Sequence, residues 1–503
     1  MQNKGLFFRY FLFAVILMSL TLGVLRIFQP LFWLVLFPDD SFYYLRIAQN
    51  VARGLGSSFD GINPTNGYHP LWMIMLLPVA SFFKAPENLL RAVLVLQILL
   101  AGTGFGFLGL IFEKTGTKKS GLLLAGALVF LNPVLLSIFV NGLESALYFC
   151  ALCLGFLLWV ITLDKKPYEF LLWLGLGAFF GVVFLSRLDG AILAFWLGVA
   201  ILINNEALTA RIKKALGFGI GFIAVSVPYL AYNLARFGNL MPISGRVKSY
   251  YMSHNLKYLA ALSLFFLVLI AAVVIYHFLQ RQTQSSFAKT LLSFMEFGLC
   301  LIFYYMLSPA YAFTIWYYLP AILFGVLILG WILAALLENK SRAGKATVGA
   351  ILALGAFGIL LGFFLHLYTP ANSVFKLQNE VTEWIKRNTP EDSLLAAWSS
   401  GGVAYFSGRQ TVNLDGLVNS PDYFFNYRIK GKRDEFMKNL GVDYIVVYYD
   451  YDAPAPTASF SFPTTAVVQL KADYRGPGTF FRKSKISYFV LQTGFARHPR
   501  IRQ

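Results

Sequence analysis

Asp39 and Asp40 are adjacent carboxylates in Pro38-Asp-Asp-Ser41, directly behind a long apolar run. A carboxylate there can take the proton from an attacking hydroxyl as a general base. A neighbouring acid can split the titration of the pair, orient the hydroxyl or hold a cation. The same residues can open a helix, with an Asp or Ser41 as its N-cap. Capping occupies one acid and leaves the other for chemistry, and the sequence does not separate which is which.

Five further groups could serve such a reaction. Phe42 to Arg53 reads as an amphipathic helix lying along the membrane surface, with Arg46, Gln49, Asn50 and Arg53 on its polar side. Tyr43 and Arg46 on it are candidate substrate contacts. Asn66-Gly-Tyr-His69-Pro70 has turn chemistry, and His69-Pro70 opens the next helix. Asn66 and His69 are candidate hydrogen-bonding groups, since the five histidines show no zinc spacing. Glu144 stands at the start of an apolar run, where the helix dipole favours an acid. Arg187 and Asp189 lie two residues apart between runs, as substrate contacts or simple ion pairs. Last comes the segment from Asn233 to Lys248, with Arg236, Arg246 and Lys248. Arg and Lys bind phosphate through charge-assisted hydrogen bonds and would stabilise charge developing on a leaving phosphate. Contact with lipid headgroups is the plainer alternative.

The elements that must position these groups are membrane helices. The chain of 503 residues is 57% hydrophobic and only 13% charged, and apolar runs of span length recur as far as residue 368. A formal charge of +18 gathered in short loops fits orientation signals and lipid contacts and argues against nucleic-acid binding. Three cysteines make no disulfide framework, and Cys150 and Cys153 lie inside an apolar run. The first run, Leu6 to Phe37, is too long for a signal peptide and reads as an anchor. Further spans are expected near 89–112, 120–140, 145–163, 170–186, 190–203, 215–233, 258–279, 291–307, 316–337 and 346–366. His69 to Phe83 is short and reads as a dipping or interfacial helix.

With that one assumption, the basic loops at Lys114–Lys119, Lys165–Lys166, Arg211–Lys214, Arg281–Lys289 and Lys340–Lys345 all fall inside. The fold class is thus a polytopic α-helical membrane protein of about eleven spans plus interfacial helices. Its N-terminus is cytoplasmic and its site faces outward, the first outer loop running over 38–70. Residues 1–368 form the membrane domain, and 369–503 a small extracytoplasmic α/β domain. In the latter, Val374 to Arg387 reads as an amphipathic helix. Ser393 to Trp398, Val442 to Tyr449 and Ile486 to Gln492 read as strands, and Asn413 to Ser420 as a binding loop or a plain turn.

These pieces resemble the polytopic GT-C glycosyltransferases, including the GT39-like enzymes, and in outline are most similar to the bacterial arabinofuranosyltransferase type. The resemblance rests on four elements in one order: Asp39 to Trp72, Gly142-Leu-Glu144, Arg187-Leu-Asp-Gly190 and Phe237 to Lys248. It departs at Leu188, where a proline is common. What the resemblance implies is inverting transfer of a sugar in the cell membrane from a polyprenyl-phosphate donor to a glycan, lipid or protein acceptor. Asp39 or Asp40 would be the base, with Arg187, Arg246 and Lys248 near phosphate or sugar. A divalent metal is a further option, and the sequence names no sugar. The competing classes are a lipid or solute transporter, which calls for mid-membrane charges and paired halves, and a non-catalytic assembly module. Glu296 is the one acid well inside a span, and paired halves are not evident in the sequence.

Overall fold

The computed structural model describes the chain apart from residues 1, 30, 115–118, 164–169, 205, 254–296, 300, 302–304, 306–314, 339–340, 369–370, 450–455, 457–458, 475–483 and 495–503. The spans expected at 258–279 and over most of 291–307, with Glu296, lie outside the described residues.

Helices come first: α1 (Gln2–Phe28), α2 (Phe32–Leu36), α3 (Asp39–Ala52), α4 (Pro70–Phe82), α5 (Pro86–Lys114), α6 (Lys119–Phe130), α7 (Pro133–Phe139), α8 (Ser145–Leu163), α9 (Phe170–Ser186), α10 (Gly190–Ile203), α11 (Leu208–Phe237) and α12 (Ile243–Ser253). Beyond the gap follow a 3-10 turn at Ile315–Tyr318, α13 (Leu319–Glu338) and α14 (Arg342–Tyr368). Six of these stretches are long and apolar enough to cross a bilayer among the described residues. The figure of about eleven counts the bent run α6–α7 and α9 and α10 as well, which have only 17 and 14 residues, together with the two runs that are not described.

Two runs read as single spans are broken. The first run divides into α1 and α2, so Leu6 to Phe37 is not one helix. The run 120–140 divides into α6 and α7, set at 94°. There Asn132 accepts the N–H groups of Val134 and Leu135 at 3.0 and 3.2 Å, and Pro133 stands at the first position of the new helix. An N-cap followed by Pro starts a helix afresh and so breaks the old one. At 13 residues, α4 is about 20 Å long, short of a hydrocarbon core of about 30 Å. Elsewhere small residues let backbones meet: a Cβ on Gly177 of α9 would lie 1.9 Å from the Phe218 carbonyl of α11.

The C-terminal part is a five-stranded sheet of order β2-β1-β3-β5-β4, from β1 (Leu394–Ala397), β2 (Gln410–Asn413), β3 (Tyr444–Tyr449), β4 (Thr464–Tyr474) and β5 (Ser484–Thr493). β2, β1 and β3 run parallel, and β5 and β4 antiparallel. Strand alternation builds two cores. Leu395, Ala397, Val446 and Val490 meet Leu377, Val381 and Ile385 of α15 (Ala371–Asn388). Leu394, Ala396, Ile445 and Leu491 face the other side, with Phe436 and Met437 of α17 (Arg433–Leu440). Between β1 and β2 lies the short α16 (Gly401–Ser407). It packs on α3, whose other neighbour is α4.

The polar side of α3 is partly covered. Gln49 and Asn50 are buried, and the Asn50 amide donates to the Ser58 and Phe59 carbonyls at 2.9 and 3.0 Å. The polar side holds the following loop in place.

Candidate functional site

The helix-cap reading of the acidic pair is also corrected. α3 begins at Asp39 itself, and its N-cap is Pro38, which makes no side-chain cap bond. The Asp39 carboxylate turns to the sheet domain, where it accepts the N–H of Gly401 at 3.0 Å and of Gly402 at 2.8 Å. Burial pushes its carboxyl up to about 6 although those two donors oppose the shift. Ser41 donates to the Asn141 carbonyl at 2.6 Å.

Asp40, one residue on, lines a small cavity of about 60 Å³ with Tyr43, Tyr44, His69, Glu144, Lys248 and Tyr317. Leu417 and Val418 of the sheet domain close it. Burial raises the Asp40 carboxyl; Lys248 pulls it down, and Asp415 and Glu144 push it up again. A carboxylate so placed is a better proton acceptor near neutral pH than an exposed one.

A second cavity of about 260 Å³ adjoins the first, lined by His69, Arg187, Asp189, Ser244, Lys248, Tyr305 and Tyr317 among others. His69, Ser244, Lys248 and Tyr317 belong to both. Arg187 is 1% exposed. It pairs with Asp189 at 3.0 Å, donates to the Trp316 carbonyl at 3.0 Å, and lies 5.3 and 4.8 Å from the centres of the Tyr148 and Tyr317 rings. The Tyr305 hydroxyl donates to Asp189. Lys248 donates to the Tyr317 hydroxyl at 2.7 Å.

Glu144 is placed by a dense set of backbone contacts. Gln97 of α5 accepts the Gly142 N–H at 2.8 Å and donates to the Leu143 carbonyl at 2.6 Å, and the Trp72 indole donates to the Gly142 carbonyl at 3.1 Å. Gly142 itself has φ +80°, open to glycine at little cost. Glu144 then accepts the Tyr44 hydroxyl at 3.2 Å and lies 3.5 Å from His69 Nε2. Burial lowers the His69 imidazole despite Glu144 beside it.

The segment from Asn233 to Lys248 is largely helical. α11 runs to Phe237, Gly238 ends it in the left-handed conformation, and α12 starts at Ile243. Residues two apart on a helix do not share a face. Lys248 therefore reaches the cavities while Arg246 is exposed, 5.8 Å from the Phe425 ring. Arg46 lines neither cavity; burial lowers its guanidinium to about 10, and Arg53 adds to the shift. Asn66 is buried and holds α12: it accepts the Ile243 N–H at 3.0 Å and donates to Asn233 at 3.1 Å. Tyr43 donates to Asp415 at 3.1 Å.

Of the sequence candidates, Asp40, Tyr43, His69, Glu144, Arg187, Asp189 and Lys248 line the two cavities, and Asp39 and Asn66 fix their walls. Tyr44, Tyr148, Ser244, Tyr305, Tyr317 and Asp415 were not among them. Tyr305 lies in an apolar run, where a tyrosine reads as packing; Trp316-Tyr-Tyr318 at the head of α13 is the one local signal. Among the described residues no group of three or more His, Cys, Asp or Glu side chains could hold a metal ion.

A family model described as a domain of unknown function (DUF8728) matches residues 371–496, the sheet domain alone. No curated protein matches the chain. Its fold is similar to that of ArnT from Cupriavidus metallidurans in two crystal structures. With ArnT bound to undecaprenyl phosphate the TM-score is 0.54, and with apo ArnT 0.52. Each shares 12% identity, and the match covers 94% of this chain and 97% of that chain.

Proposed function

We propose that the protein is a membrane glycosyltransferase that moves a sugar from a polyprenyl-phosphate donor to an acceptor hydroxyl at the extracytoplasmic face. The observation that carries this reading is the junction of the two cavities. One holds the cations Arg187 and Lys248, the other the carboxylate Asp40, and they share His69, Ser244, Lys248 and Tyr317. A phosphate in the larger cavity and a hydroxyl at Asp40 leave the anomeric carbon between them. The similarity in fold to ArnT, which has been crystallised bound to undecaprenyl phosphate, supports a lipid-phosphate donor.

In this reaction the acceptor O–H gives its proton to Asp40 as its oxygen bonds the anomeric carbon. The bond from that carbon to the phosphate oxygen breaks on the opposite face, so the configuration inverts. Polyprenyl phosphate leaves with one more negative charge, balanced by Lys248 and the positive end of the Arg187 cluster. Asp40 is assigned as the base because it lines the cavity, whereas each oxygen of Asp39 already accepts a backbone N–H from the sheet domain. Residues 1–368 would hold the donor in the cell membrane, and 369–503 would cover the acceptor side.

The test is transfer of labelled sugar from a polyprenyl-phosphate donor in proteoliposomes. Removing a general base costs about 10²- to 10⁴-fold, so Asp40→Asn should lose that much and Asp39→Asn clearly less. Full activity in Asp40→Asn would overturn the assignment, and no transfer by wild type from any such donor would overturn the function.

A further inference from the structure

The loop Asn413-Leu-Asp-Gly-Leu-Val-Asn-Ser420 has no part in the function proposed above, yet it forms one wall of the Asp40 cavity. Leu417 and Val418 close that cavity, and the Leu417 carbonyl comes so near Gly67 that a Cβ there would lie 2.0 Å from it. Two residues before Leu417 stands Asp415. Its Oδ2 accepts the Tyr43 hydroxyl at 3.1 Å, the Ser399 N–H at 3.0 Å and the Asn413 amide at 3.2 Å. The loop is itself tied down, since Asn413 Oδ1 accepts the Gly416 N–H at 2.9 Å and Asn419 donates to the Asn413 carbonyl at 2.8 Å.

Tyr43 and Asp40 are three residues apart on α3, hence neighbours on one side of that helix, and both line the same cavity. The hydroxyl of Tyr43 thus fastens a second carboxylate to the side of α3 that carries the base.

We infer that Asp415 is a positioning residue for Asp40: the sheet domain supplies a fixed negative charge that makes Asp40 a stronger base. The domain is then a component of the catalytic centre and not an appendage to it. This rests on the reading of Asp40 as the base.

Other groups face Asp40 from each side, Tyr43 among them, which is itself bonded to Asp415. Asp39, Tyr43 and Tyr44 come from α3, His69 from the head of α4, Glu144 from the head of α8, Lys248 from α12 and Tyr317 from the 3-10 turn before α13. Lys248 opposes Asp415; Glu144 reinforces it.

The experiment is the pH profile of sugar transfer in proteoliposomes for wild type, Asp415→Asn, Asp415→Glu and Asp40→Asn. Transfer falls on the acid side as the base takes up its proton. Without the neighbouring charge Asp40 holds its proton less tightly. In Asp415→Asn the acid limb should therefore move to lower pH by about half to one unit. The plateau rate should fall roughly 3- to 10-fold, as a weaker base predicts. Asp415→Glu should return the limb towards wild type. If Asp415→Asn does not fold, Asp415→Ser carries the same expectation, because it too removes the charge.

A slower Asp415→Asn enzyme with the acid limb unmoved would reduce Asp415 to a structural tie and overturn the inference, while Asp40 stayed the base. An active Asp40→Asn would instead remove the base assignment, and the role of Asp415 with it.

Discussion

The Asp39 carboxylate accepts the N–H of Gly402 across 363 residues of sequence, at 2.8 Å. With the Gly401 N–H at 3.0 Å it joins the head of α3 to the sheet domain. A Cβ on Gly401 would lie 2.2 Å from the Asp39 carbonyl, so the contact is backbone on backbone. Asp39→Ala leaves two amides without an acceptor, a loss of about 1–3 kcal/mol. The expected outcome is easier proteolytic release of the sheet domain together with a lower melting temperature. Unchanged cleavage kinetics would show that the tie does not hold the domain.

The same carboxyl gives stability a pH dependence. Its folded value, about 6, lies above the ordinary 3.8. Between those two values the folded chain binds more protons than the unfolded one, so this contribution weakens as pH rises. It is fully present below about pH 4 and gone above about pH 6. Asp39→Asn should therefore show a flatter melting temperature than wild type across that window, and parallel curves would count against it.

Arg187 is the group least open to simple substitution. It is buried against Asp189, Tyr305 and the Trp316 carbonyl, and removing it leaves a buried carboxylate unpaired. Such losses run to about 3–5 kcal/mol. Arg187→Met should melt well below wild type in detergent, and Arg187→Met/Asp189→Leu should recover part of the loss. Donor binding is better tested at Lys248, where Lys248→Met should raise the donor KM without lowering the melting temperature comparably.

The element types were legible in the sequence where one local pattern decides them. α15 follows from Leu377, Val381 and Ile385 at helical spacing, and β3 from the apolar run Tyr444 to Tyr449. β4 went unread because it is a sheet edge whose run, Thr464 to Tyr474, mixes polar and apolar residues without a buried face to mark it. The carboxylate pair was legible as chemistry, but its division of labour was not. Asp39 and Asp40 differ only in which distant backbone lies against them, and Gly401, Asp415 and Leu417 stand some 350 to 380 residues away. The polar side of α3 shows the same limit: the part of Asn50 in holding the following loop appears only once that loop is in view.

Gly67 marks a close approach of the first loop to the sheet domain. A methyl group there would lie 2.0 Å from the Leu417 carbonyl and 3.2 Å from Val418 Cα. Backbone cannot retreat as a side-chain end can, so Gly67→Ala must move the loop or the domain. Leu417 and Val418 would then no longer close the Asp40 cavity. Transfer should fall at least 10-fold, as small displacements of reacting groups cost that order, while the membrane helices stay folded by circular dichroism.

Asn66 offers the sharpest separation between holding and reacting. It touches neither cavity, yet its Oδ1 accepts the first amide of α12 and its Nδ2 donates to Asn233 near the end of α11. Ser244 and Lys248 ride on α12, so their place in both cavities depends on that clamp. Asn66→Asp keeps the acceptor for Ile243 but loses the donor to Asn233 Oδ1. It also puts a carboxylate at a buried position beside another oxygen. Asn66→Leu loses both bonds. Donor KM should therefore rise in both variants, more in Asn66→Leu, with the pH profile set by Asp40 unmoved. A shifted acid limb in Asn66→Leu would mean that Asn66 acts on the base and not on the phosphate side.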